Sequence, residues 1–99
     1  MIDFASIEGF DWDDGNARKS LDKHGVTQAE AEQVFAGEPL LAKDVKHSDE
    51  EARFQALGQT IDGRRLHVTF TLRGNVKKLR IISARDMNRK ERAFYDQES

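Results

Sequence analysis

Apolar and polar side chains alternate most regularly in the second half of the chain. Leu66, Val68, Phe70 and Leu72 are separated by Arg65, His67, Thr69, Thr71 and Arg73, the period-two pattern of a strand buried on one face. Arg53 to Thr60 shows the same alternation, with Phe54 and Ala56 against Arg53 and Gln55, and Leu79 to Arg85 forms a third strand. Ile61-Asp62-Gly63 fits a three-residue hairpin loop with Gly63 left-handed, and Gly74-Asn75 marks the next turn. These segments predict an antiparallel meander.

Upstream, Gly9 to Asp13 reads as a short strand with Phe10 and Trp12 on one face. Asp13 to His24 carries Ala17 and Leu21 at i, i+4 spacing and stops at Gly25, which suits the left-handed turn after a helix. Thr27 and Glu30 form a capping box for a second helix, whose apolar stripe is Ala31, Val34 and Phe35 and whose end is set by Gly37 and Pro39. Leu40 to Val45 suits a further strand, and His47 to Glu51 an acidic loop. Asn88 and Glu91 cap a last helix through Tyr95. The order β-α-α-β-β-β-β-α predicts an α+β fold, an antiparallel β-sheet packed against N-terminal helices with a C-terminal helix. Its 99 residues are expected to form a single domain, 1–99.

The register of the meander has a chemical consequence. Pairing the apolar faces sets Phe54 opposite Phe70 and Phe70 opposite Ile81, and we expect each offset to hold along its whole hairpin, since a slip of one residue would turn Phe54 into water. Arg53 and Arg80 then flank Thr71, with Arg73 and Lys78 one step along the same face. Like charges side by side across strands are destabilising, so an anion is expected there. Arginine suits phosphate because its planar donors match two oxygens at once. The plainer alternative is that Glu50, Glu51 or an acidic N-terminal residue pairs with these arginines. His67 falls on the arginine face by alternation, placed to donate a proton or to stack on a base.

Composition narrows the classes. The chain has no cysteine, which excludes disulfides, thiolate metal sites and a cysteine nucleophile. No stretch reaches the ~18 apolar residues of a membrane span, and the acidic N-terminus does not resemble a signal peptide, so a cytoplasmic protein without membrane contact is expected. The net charge of −2 conceals an asymmetry. Residues 1–62 hold 6 Lys and Arg against 14 Asp and Glu, a balance of −8, and residues 63–99 hold 10 against 4, a balance of +6. That suggests a basic surface for a polyanion, or complementary surfaces for a partner or a homodimer. His24, His47 and His67 lack metal-ligand spacing, and no Walker or GxGxxG loop is present, so neither metal nor cofactor is expected.

A set of short motifs joins these features: Trp12-Asp13, Lys23-His24-Gly25-Val26, Ala31 with Val34-Phe35, Glu51 and Arg53 before Gly58, Thr71-Leu72-Arg73, Arg80-Ile81-Ile82-Ser83-Ala84-Arg85, then Glu91 and Tyr95. In order and separation they resemble the BrnT family of bacterial ribonuclease toxins, part of the wider RelE-like group, from Phe10 to Tyr95. The resemblance implies a RelE-like fold and a metal-independent endoribonuclease that blocks translation. It also implies a BrnA-like antitoxin with a ribbon-helix-helix domain, through which toxin and antitoxin together repress their operator DNA. Carried residue by residue, the likeness reaches Lys23, His24, Arg53, Arg73, Arg80 and Arg85. Asn16 stands where a lysine is common and Ser20 where an asparagine is common, which bears on activity if those positions contact RNA.

Register and resemblance together make Lys23, His24, Arg53, Arg73 and Arg80 the candidate catalytic residues and His67, Thr71, Lys78 and Arg85 the candidate RNA contacts. RNA is cut without a metal when its 2′-hydroxyl attacks the adjacent phosphorus, given a proton acceptor, a proton donor and a stabiliser of the added charge. Arg53, Arg73 and Arg80 suit the charge role, while Lys23, His24 and His67 all remain open as proton carriers. A competing reading is a catalytically weak or inactive module of the same fold that docks an antitoxin or nucleic acid through its basic sheet face. A third is a subunit whose basic half mates with acidic halves of its neighbours.

Overall fold

The computed structural model describes residues 8–44, 52–73 and 78–98, with the side chains of Asp44 and Arg73 outside that description. Along the chain come β1 (Gly9–Trp12), α1 (Asp14–His24), α2 (Gln28–Ala36), β2 (Leu40–Asp44), β3 (Arg53–Gln59), β4 (Arg65–Arg73), β5 (Lys78–Asp86) and α3 (Arg89–Glu98). The expected acidic loop at His47 to Glu51 and the turn at Gly74-Asn75 lie outside the described residues. No described helix is long and apolar enough to cross a membrane.

Each helix begins where its sequence offers a cap. Asp13 Oδ1 accepts from the N–H groups of Gly15 and Asn16 at 2.8 and 3.2 Å, opening α1, and Gly25 ends it at φ 64°, a conformation that costs little without a Cβ. At α2, Thr27 Oγ1 accepts from Glu30 N while Glu30 Oε1 accepts from Thr27 N. Asn88 and Glu91 repeat that exchange before α3, which runs past its expected end at Tyr95 to Glu98.

The strands form one sheet in the order β1-β5-β4-β3-β2. β2 through β5 pair antiparallel, and β1 adds a parallel edge on β5. The sheet is therefore mixed where antiparallel pairing throughout was expected, because alternation marks a strand without marking its direction. The α+β class and the placement of the helices are as the sequence predicts.

One face carries the core. Val26, Ala31 and Val34 pack with Ala56, Leu66, Val68, Phe70, Leu79, Ile81 and Ala84, all buried. Phe70 lies among aromatic neighbours, stacked on Phe54 at 5.5 Å and edge-on to Phe35 at 5.1 Å, spacings at which aromatic pairs attract beyond the area they bury. Trp12 packs against the cluster and donates its indole N–H to Glu32 at 2.8 Å, joining β1 to α2. On the opposite face, α3 crosses the end of the sheet that carries Arg65, His67 and Arg85.

Phe54 meets Phe70 and Phe70 meets Ile81, as expected, but the β4–β5 offset does not hold. Between Thr69 and Phe70 the register shifts, so that Val68 faces Ala84 and Thr69 faces Ser83. An unbroken offset would set Ser83 opposite Val68 and Arg85 opposite Leu66, both on the core face. The bulge instead returns Ala84 to the core and keeps the guanidinium out of it, since burying an unpaired charge is far costlier than a local irregularity.

Gly58 sits where α2 approaches β3. A Cβ placed there would stand 2.7 Å from Val34 Cγ1, and a β-branched side chain has little freedom to yield. Gly58→Ala is expected to cost ~1–3 kcal/mol by overpacking. Val34→Ala removes the obstructing methyl, so the double variant should be less destabilised than the sum of the two by ~1 kcal/mol. Denaturant melts of the four proteins test this, and strict additivity would contradict the close approach.

Candidate nucleic-acid interface

Registers across all five strands place one row of side chains on the face opposite the core. Asp11 of β1 pairs with Arg80 of β5, Arg80 with Thr71 of β4, Thr71 with Arg53 of β3, and Arg53 with Asp44 of β2. Two arginines thus stand on either side of a threonine, with an aspartate position at each margin. One step along, Arg73 pairs with Lys78, and the Lys78 side chain is exposed. The predicted gathering of cationic positions at one end of the sheet is present in the backbone register.

The side chains in this row are not all alike. Thr71 is 1% exposed and its hydroxyl donates to the Ala52 carbonyl at 2.8 Å, so it spaces the arginines and does not present its hydroxyl to a ligand. Arg53 is half-buried. Arg80 is 23% exposed, and its Nη2 donates to Asp13 Oδ2 at 3.3 Å. The alternative that an acidic N-terminal residue pairs with these arginines therefore holds for Arg80; Glu50 and Glu51 lie outside the described residues.

The sequence marks Asp13 as the end of the first strand, the start of a helix and part of the Trp12-Asp13 motif, but not as a partner of Arg80. Its two oxygens have different tasks: Oδ1 caps α1 and Oδ2 holds Arg80. A carboxylate at a helix N-terminus is favoured by the helix dipole as well as by the bonds it accepts.

Three groups of candidate site residues stand differently from the arginines of this face. His67 does not lie open on it: the side chain is 8% exposed, with Nε2 3.8 Å from Glu91 Oε2, at the end crossed by α3. Arg85 does not present a free guanidinium: Nη1 and Nη2 donate to the two oxygens of Glu91 at 2.8 and 2.9 Å. That pair, led by the Arg85 hydrogen bond, holds the Glu91 carboxyl below its usual range and raises Arg85. Lys23 and His24 stand at the exposed last turn of α1, whose N-cap Asp13 meets Arg80 and whose Ser20 reaches Ala84. From Arg80 to Asp86 is ~20 Å of strand, so α1 carries Lys23 and His24 to the other end of β5 from the arginine row. The structure sets Arg53 and Arg80 in one row on either side of Thr71 and keeps Lys23, His24, His67 and Arg85 apart from them.

At that other end is a hub that the sequence did not mark. Arg64 donates from Nε and Nη2 to both oxygens of Asp86, from Nη1 to the Gly25 carbonyl and Glu30, and from Nη2 to the His24 carbonyl, at 2.7 to 3.1 Å. All five guanidinium donors are used. Arg64 raises its own pKa through the Asp86 bond and lowers that of Asp86. Glu30 is lowered first by the Thr27 backbone bond and then by Arg64. The hub ties the α1–α2 connection to the end of β5.

An apolar cleft of about 320 Å³ lies between β1 and α2, lined by Phe10, Phe35 and Leu79 together with Glu8 and Glu32. Its carboxylates would repel a phosphate. Charge therefore favours the arginine row, not the cleft, as the surface for a polyanion.

Among the described residues, the mixed five-stranded sheet with three helices matches the fold of a BrnT ribonuclease toxin. It superposes on the crystal structure of the Brucella abortus ribonuclease toxin BrnT with a TM-score of 0.60 at 22% identity, covering 82% of this chain and 97% of that one, a likeness of fold. The family model described as ribonuclease toxin, BrnT, of type II toxin-antitoxin system matches residues 12–91, and the chain belongs to that family. A search of curated proteins gave no match.

The Arg64 hub sets an acid limit on stability. Asp86 and Glu30 titrate below their ordinary values, so their contribution is complete above the ordinary carboxylate range and is lost as pH falls through the lowered values. Arg64→Ala should lower stability by ~1–2 kcal/mol at pH 7, a figure discounted for the partial exposure of the group. Its melting temperature should also fall less steeply than wild type between pH 6 and 3. Arg64→Lys should recover only part of the loss, since an ammonium lacks the planar fork. Thermal melts across pH test this; parallel curves for wild type and Arg64→Ala would refute the coupling.

Proposed function

We propose that this BrnT-family toxin cleaves RNA without a metal by clamping the scissile phosphate on the row formed by Arg53, Arg80 and, one step along, Arg73. The observation that carries the reading is the placement of Arg53 and Arg80 on either side of Thr71, on the face away from the core. In the reaction the RNA 2′-hydroxyl oxygen bonds to phosphorus as its proton passes to water, which also supplies the proton taken up by the leaving oxygen. The bond from phosphorus to the 5′-oxygen breaks, and that oxygen takes up a proton. A cyclic phosphate and a free 5′-hydroxyl result. Negative charge on the phosphate oxygens rises at the transition state, where fixed guanidinium donors act with most effect.

Lys78, exposed at the register position opposite Arg73, extends the positive surface along the RNA. Lys23 and His24, at the far end of α1, hold RNA away from the cut in this reading. Cleavage of RNA in the cytoplasm blocks translation, and a BrnA-like ribbon-helix-helix antitoxin neutralises the toxin and brings it indirectly to operator DNA. These features rest on the family resemblance together with the charge of the surface.

Single changes Arg53→Ala, Arg73→Ala and Arg80→Ala are each expected to lower the rate of cleavage of a short RNA by ~10²-fold, the usual effect of removing one preorganised donor. The triple variant should retain a wild-type circular dichroism spectrum and no longer arrest growth. Cleavage should persist in excess EDTA, and RNA binding should weaken steeply as salt rises. Full cleavage by the folded triple variant would reject the site, and loss of wild-type cleavage in EDTA would reject metal independence. RNA or antitoxin binding without cleavage by the wild type would favour the inactive binding module.

A further inference from the structure

We infer that Asp13 is a positioning residue for Arg80, and that a single carboxylate sets both the start of α1 and the aim of the phosphate-binding guanidinium. The inference rests on the reading above, in which Arg80 touches the scissile phosphate. Asp13 Oδ1 accepts from two backbone N–H groups of the first turn of α1, which immobilises the carboxylate relative to the helix. Asp13 Oδ2 then meets Arg80 Nη2 at 3.3 Å.

The helix is in turn fixed to the strand that carries Arg80. Ser20, buried in the middle of α1, accepts the Ala84 N–H at 3.1 Å. That backbone donor lies on β5 beyond the part paired with β1, which ends at Ile81. Arg80 is thereby referenced at two points to one rigid element. A long flexible side chain held in this way loses little further freedom when phosphate binds.

The bond engages Nη2 from one side and leaves the fork with donors to spare, since a guanidinium has five. Asp13 also carries negative charge beside the place where an anion is to bind. Its net effect therefore divides: it opposes binding of the ground-state phosphate and favours the orientation needed at the transition state. Removing the charge while keeping the cap should lower kcat and leave KM unchanged or reduced, a division that a residue acting only on folding would not produce.

Asp13→Asn tests this, because asparagine caps helices about as well as aspartate. With the purified toxin and a short RNA, its melting temperature should stay within ~2 °C of wild type. Its kcat should fall ~10-fold or more with KM not raised, as a misaimed donor costs rate more than binding. Asp13→Ser, which also caps but is too short to reach Arg80, should show the same division. Asp11→Asn removes an equal charge at the register position beside Arg80 without removing a bond to it, and should leave kcat within about twofold. In the background of Arg80→Ala, Asp13→Asn should cause no further loss.

An Asp13→Asn protein with wild-type kcat, or one whose loss of rate follows a loss of stability, overturns the inference. So does an Asp11→Asn protein that reproduces the same division, since charge alone would then suffice. If Arg80→Ala itself cleaves normally, the phosphate site and the positioning role fall together. If Arg80→Ala is impaired and Asp13→Asn is not, only the positioning role falls.

Discussion

The structure depends on the register of the β3-β4-β5 meander and on the single break within it. Side chains along a strand alternate between faces, so one offset decides which residues enter the core and which share the outer surface. Phe54, Phe70 and Ile81 come into line on the inner face, and the positions next to them put Arg53, Thr71 and Arg80 in line on the outer one. Beyond Phe70 the same offset would bury Arg85. The shift at Thr69 and Phe70 resolves the conflict, dividing the outer face into an arginine end and an end where Arg85 and His67 meet α3. Core packing and the placement of cations are thus one problem with one solution.

The charge asymmetry of the chain takes on a more specific meaning in three dimensions. Several cations of the basic half are engaged by carboxylates: Arg64 by Asp86 and Glu30, Arg65 by Asp96, Arg80 by Asp13, and Arg85 by Glu91. Two of those carboxylates, Glu30 and Asp13, come from the acidic half, so part of the imbalance is closed within the fold. The bonds differ in reach. Arg64 uses every donor on its neighbours and Arg85 forms a two-pronged pair, whereas the contact from Arg80 to Asp13 is longer and one-sided. A guanidinium held by one prong keeps more of its five donors for a second anion than one held by both.

Much of the fold was legible because its signals are local. The caps at Thr27 and Asn88, the turn at Gly25 and the alternation of β3 and β4 each follow from a few adjacent residues, and the pairing of Phe54 with Phe70 follows from alternation once a hairpin is assumed. What sequence reasoning missed required knowledge of which elements meet. Nothing near Arg64 announces that Asp86, Glu30 and two carbonyls converge on it. His67 belongs to the outer face as alternation predicts, but its burial is decided by α3, an element remote in sequence. Lys23 and His24 were grouped with the arginines because motifs recur together, and the length of α1 separates them. The parallel pairing of β1 was hidden for a similar reason, since it joins the first strand to the last.

The position of Ser20 bears on whether the departures from the family pattern weaken this member. Ser20 is buried, and its hydroxyl accepts the Ala84 N–H at a place where β5 has passed the end of β1. An unpaired buried N–H would cost ~1–3 kcal/mol, so the position calls for a short side chain with an acceptor oxygen. Asparagine and serine both supply one. The difference at this position is therefore a change in how α1 is fastened to the sheet. Asn16 differs in kind: it lies in the first turn of α1, where its backbone N–H binds Asp13, close to the carboxylate that holds Arg80. A lysine there would add a cation to the arginine end, so of the two departures only Asn16 bears on the charge of that end.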